Sequence, residues 1–186
     1  MPEQGLAAGR PGEKDIEDLA QAKLGVAEQQ QLWEAQTECV LSFLQDGLPT
    51  AVVMSFQVDP DGHFWFATVE GRRQVRGVDS DPRVAVVVSN TGTDLPGRRM
   101  VALRGEARVH RDREVVRDRV RRLAPRLAPE DPDAFVRLLD SPKRVVIEVV
   151  PTRITASHDS TRLAGDGRGG KPSSARAEEG PVDSDS

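Results

Sequence analysis

Six short runs rich in Val, Phe, Leu and Ile, at 39–44, 50–58, 64–69, 83–89, 99–110 and 143–150, are each bounded by turn-forming residues. β-branched and aromatic side chains fit a pleated, half-buried surface, so this punctuation confines the chain to a mainly β fold. Asp46-Gly47 and Asp59-Pro60-Asp61-Gly62 are the clearest turns, and each joins neighbouring runs as an antiparallel hairpin. Within 99–110, Val101, Leu103, Ala107 and Val109 alternate with Arg104, Glu106 and Arg108, which gives that strand one wet face. The run 50–58 is apolar almost throughout and predicts cover on both faces, by core on one and by a ligand or partner subunit on the other. Six strands with hairpin links predict a small antiparallel barrel.

Helical periodicity flanks and interrupts these runs. Ile16, Leu19, Leu24 and Ala27, then Leu32 and Trp33, predict one helix over 14–36, or two broken near Gly25. Val116, Val120, Leu123 and Leu127 form one stripe in a helical insertion at 112–140, where Glu114 with Arg117 and Asp118 with Arg121 are spaced to pair along the wet side. Asp131-Pro132 starts a second short helix running to Leu139, and 153–158 adds a last strand. The predicted domain therefore spans 14–163, between a disordered leader at 1–13 and a Gly-, Ser- and Pro-rich tail at 164–186 with little to bury.

Charge and rare residues exclude several classes. With 26 basic and 30 acidic side chains the formal charge is −4, aromatics are few, and no DNA-reading helix motif is present, so no nucleic-acid partner is expected. Cys39 lies in the apolar run ECVLSFL and reads as a small buried hydrophobe rather than a nucleophile. His63, His110 and His158 lack metal-ligand spacing. No signal-like apolar core or membrane-length span is found, so the expectation is a soluble, cytoplasmic protein without a membrane partner.

The chemistry concentrates in HFWFATVEGRRQVRGVDSDPRVAVVVS, from His63 to Ser89. A strand runs into Gly71, arginines follow at Arg72, Arg73 and Arg76 on a short helix, and Asp81-Pro82 stops that helix before the next strand. A helix start carries unpaired N–H donors and partial positive charge, and guanidinium forks fit phosphate, so the junction suits a phosphorylated ligand. The same residues also fit a solvated surface turn.

Four stretches, ECVLSFLQDGLPTAVVMSF, FWFATVEGRRQVRGVDSDPRVAVVV, MVALRGEARV and RVVIEVVPTRITA, in this order, resemble the flavin-binding split barrels of the pyridoxamine 5'-phosphate oxidase-like superfamily and their deazaflavin-dependent relatives. The resemblance implies a six-stranded antiparallel split β-barrel, a homodimer with cofactor clefts at its interface, and hydride transfer to or from a small-molecule substrate. It implies that the ring lies along Val52, Val53, Met54 and Ser55, that the cofactor phosphate sits by Thr68, Arg72, Arg73 and Gln74, and that Ala67 also belongs to the cofactor-binding set. Arg111 lies outside that set. The chain departs from the family at Gln74, where a lysine is common. It also lacks the oxidase's His and Arg pattern near 152–165 and its Arg-Gln signature around Met100, so pyridoxamine phosphate oxidation itself is not expected.

The implied function is an FMN-dependent oxidoreductase, with coenzyme F420 as the alternative cofactor; Arg98, Arg99 and Arg144 are available to that coenzyme's longer acidic tail. The competing reading is a barrel that binds or sequesters a flavin, haem or tetrapyrrole without turnover.

Overall fold

The computed structural model describes residues 22–162. The 1–13 leader, the 164–186 tail and residues 14–21 of the expected 14–36 helix lie outside the described residues. In chain order the elements are α1 (Val26–Ala35), β1 (Glu38–Gln45), β2 (Leu48–Ser55), β3 (Gln57–Val58), β4 (Phe64–Val69), α2 (Arg73–Ser80), β5 (Arg83–Ser89), β6 (Arg99–His110), α3 (Arg113–Leu127), α4 (Pro132–Leu139) and β7 (Arg144–Asp159).

One antiparallel sheet carries all seven strands in the order β2-β1-β5-β6-β7-β4-β3. It curls until β2, at one end, faces β4 near the other, and no ladder joins those two strands. A seam therefore runs down the barrel, and this is the split expected from the sequence. The core inside the curl contains Leu41, Phe43, Phe56, Phe64, Phe66, Val86, Val101 and Ile147. Phe56 and Phe64 stack with ring centroids 5.6 Å apart, and Trp33 of α1 meets Phe64 edge-on at 5.3 Å.

The count of seven strands rather than six comes from the run 50–58. Phe56 turns wholly inward and gives its N–H to Thr37 O at 3.1 Å, which ends β2 and leaves β3 as a two-residue strand on β4. The runs 143–150 and 153–158 are one continuous β7, which passes Pro151 through register shifts against β6 opposite Ala102/Leu103 and Arg104/Gly105. A bulge lets a strand carry a proline without losing its partner.

The insertion lies against the outer faces of β4 and β7, where Val116 and Val120 cover Trp65 and Val146. The Arg119 guanidinium sits 3.8 Å from the Trp65 ring centroid, and the Trp65 indole donates to Asp59 Oδ2 at 2.8 Å. Burial raises the Asp59 pKa, but that bond, the His63 backbone N–H and nearby positive charge outweigh it and leave the carboxyl below its ordinary range. The ion pairs on α3 differ from the expected ones. Asp118 pairs with Arg122 at 2.9 Å rather than with Arg121, and Arg117 reaches Asp140 at 3.1 Å instead of Glu114. Asp140, at the end of α4, receives both Arg117 and Arg113, so two guanidiniums share one carboxylate. At the C-terminus of α3, Arg126 caps α1 by donating to Trp33 O (2.8 Å) and Gln36 O (2.7 Å). Among the described residues no helix is long and apolar enough to cross a membrane.

Candidate functional site: a basic turn beside the seam

β4 pairs with β7 through Val69↔Arg144, and the Glu70 N–H still reaches Lys143 O at 2.8 Å, so the sheet holds the chain firmly up to the turn. Gly71 then takes φ +80°, a conformation that costs glycine little and other residues more. Arg72 caps α2 without a side-chain bond, and the helix sets off with Arg73 and Arg76 on its wet side and Val75 and Val78 buried. Gly77 allows close contact with β1, since a Cβ there would meet the Phe43 ring and lie 2.7 Å from Leu44 O.

An open groove of about 520 Å³ lies along this turn, bounded by Val52 of β2 on one side of the seam and by Val69, Glu70, Gly71, Arg72, Arg73, Gln74 and Arg76 on the other. The expected site residues divide accordingly. Val52, Arg72, Arg73 and Gln74 line the groove. Thr68 lies beneath it, buried, and accepts a 3.0 Å hydrogen bond from the Gln74 amide, which is itself only 7% exposed. Met54 faces the core, Ser55 ends β2 half-buried, and Val53 points out of the barrel, 65% exposed. Ala67 projects to the opposite face of β4, against the Trp65–Val116 cluster under α3, so only its main chain adjoins the groove side.

Charge at the turn is one-sided. None of Arg72, Arg73, Arg76 or Arg144 has a carboxylate within ion-pair distance among the described residues. Arg76 donates to Gly71 O and so closes the turn on itself. Arg144 sits behind it, its Nε on Leu139 O at 3.0 Å and a terminal nitrogen 3.4 Å from Thr68 O. Burial, followed by the positive charge of Arg72, pulls the Arg144 guanidinium below its ordinary pKa. Cations gathered this way repel one another and are stabilised by an anion. Of the other two arginines available for an acidic tail, Arg99 is spent on the buried Asp159 at 3.1 Å, and Arg98 is exposed in the loop before β6.

Arg111 is the residue that sequence alone places outside the site and the structure brings to it. From the β6–α3 junction its fork grips Glu70 (2.8 and 3.0 Å), immediately before Gly71, and Asp79 (3.2 and 2.7 Å), in the last turn of α2. The Arg111 hydrogen bonds hold the Glu70 carboxyl below its ordinary pKa, and the two carboxylates push the Arg111 pKa up. Cys39 is buried, which pushes its thiol up to about 12 and leaves it inert.

The family model of pyridoxamine 5'-phosphate oxidase matches residues 26–158. An F420H2-dependent biliverdin reductase of Mycobacterium tuberculosis is 32% identical over 114 residues, 61% of this chain and 74% of the relative. Among solved structures, a conserved hypothetical protein of Mycobacterium tuberculosis superposes with a TM-score of 0.66 at 21% identity, over 77% of this chain and 90% of that one. The haem storage protein HutZ of Vibrio cholerae superposes at 0.58 with 14% identity, over 71% and 94%. At these identities the two structures establish the shared fold.

Proposed function

This chain belongs to the pyridoxamine 5'-phosphate oxidase family, and from that premise we propose that it is an oxidoreductase whose phosphorylated flavin or deazaflavin lies in the seam with its phosphate on the basic turn. One observation carries this reading: four guanidiniums with no carboxylate in ion-pair range among the described residues gather where α2 begins, beside a groove walled by apolar Val52 and Val69. Coenzyme F420 ranks ahead of FMN because the 32% identical relative is named for it. Arg144, behind Arg72, adds the extra positive charge that a longer acidic tail requires.

The bound ring supplies the hydride chemistry. The polypeptide's work is placement. Arg72 and Arg73 offer forked donors to phosphate oxygens, the first turn of α2 adds main-chain N–H groups, and the Gln74–Thr68 bond braces the turn from below. The free edge of β2 at 52–55 offers peptide groups to the ring's polar edge. We place the binding unit in a homodimer, since β2 exposes Pro49, Ala51 and Val53 (65%) on one outer face that water does not favour. The substrate proposed by analogy with the relative is a linear tetrapyrrole of the biliverdin type.

Storage without turnover is the second reading. Among the described residues the groove lining has no His or Cys, and its one carboxylate, Glu70, is tied to Arg111, so no side chain there is placed as a general acid. Titration of the purified protein with F420 and with FMN, followed by fluorescence, is expected to give micromolar or tighter binding of at least one, and mixing with F420H2 and biliverdin is expected to give multiple turnovers. Failure to bind either cofactor would remove the oxidoreductase; binding without turnover of any acceptor would leave the storage protein.

A further inference from the structure

We infer that Arg111 is a positioning residue for the anion site, acting by withholding the Glu70 carboxylate from the groove; this rests on the reading of the basic turn as the cofactor's phosphate site. Glu70 lines the groove immediately before Gly71, so its charge faces the same space as the incoming anion. Left free, it has two destructive options, to repel the anion or to pair with Arg72, Arg73 or Arg76 and occupy the forks meant for it. In the structure it does neither, because Arg111 takes both of its oxygens through two parallel bonds. The same guanidinium takes both oxygens of Asp79 from the far end of α2, removing a second carboxylate and tying the two ends of the turn to the end of β6. An isolated exposed ion pair contributes little to stability, but one fork shared by two carboxylates fixes the orientation of both.

The test is a cycle of Arg111→Ala, Glu70→Gln and the double variant, titrated with FMN, with F420 and with riboflavin, which lacks the phosphate. A like charge released at the separation of a single turn changes anion affinity about three- to tenfold at low salt, less as salt screens it. Arg111→Ala is expected to weaken FMN and F420 by that factor, to leave riboflavin unchanged, and to be restored to within about twofold of wild type by adding Glu70→Gln. A thermal melt beside each titration identifies any variant that fails to fold, and the double variant then carries the comparison. Equal weakening in the single and double variants would overturn the role through Glu70, as would unchanged affinity in Arg111→Ala while Arg73→Ala loses affinity. If Arg73→Ala binds as wild type, the phosphate site falls and this inference with it.

Discussion

Arg73 tests the anion site most directly, because it is exposed, unpaired among the described residues and at the first position of α2. Removing one charge-assisted bond of about 1.5 to 3 kcal/mol predicts a ten- to hundredfold loss of F420 or FMN affinity in Arg73→Ala. The melting temperature is expected to stay in place, since no protein contact is lost, and fluorescence titration beside a melt reads both quantities. Individual residues were legible from sequence in proportion to how local their role is. The arginines at 72, 73 and 76 announce themselves by their place after a strand and a glycine. Gln74 looked like a lost charge and is instead a buried brace on Thr68, a pairing six residues apart that depends on how tightly the helix folds back on the strand. Arg111 and Arg144 reach the turn only because β6 and β7 end beside it, and no spacing along the chain encodes that approach.

The elements themselves followed from local chemistry wherever one signal dominated. Strands β4, β5 and β6 begin and end where alternation and turn residues put them. The run 50–58 reads as one strand because nothing in its apolar composition marks Phe56 as the residue that turns inward; burial, a tertiary effect, decides that break. Helix α2 has only eight residues, too few to stand alone, so its position depends on packing against β1. Gly77 is the contact that sets this distance. Alanine there gains up to about 1 kcal/mol of helix propensity, yet its Cβ meets the Leu44 carbonyl, a main-chain atom held in the β1 ladder that cannot give way. Gly77→Ala is expected to cost about 1 to 3 kcal/mol net, seen as a melting temperature lower by several degrees, and to weaken cofactor binding because the turn moves with the helix.

At the level of the whole molecule, the proposed homodimer rests on the apolar outer face of β2. Ala51 and Val53 stand open on one face while Met54 is buried on the other, so the cover expected on both faces of the run 50–58 is provided on one face only in the single chain. Burial of roughly 2,000 Å² or more, usual for obligate pairs, predicts twice the mass of one chain by light scattering at micromolar concentration. Val53→Asp is expected to yield monomers with lost cofactor affinity; a wild type that is monomeric, or a monomeric variant that binds the cofactor normally, would refute the interface cleft. The seam itself has a mechanical consequence. β2 is tied to β4 at its far end, through Phe56 and the short β3, but no ladder bond joins the two strands elsewhere, so the seam can widen only as a wedge towards the β1–β2 hairpin, whose tip rests on two left-handed residues, Asp46 and Gly47. If the cofactor lies in this seam as proposed, rings of different bulk are expected to change its width at the hairpin end while the basic turn at the start of α2 stays in place.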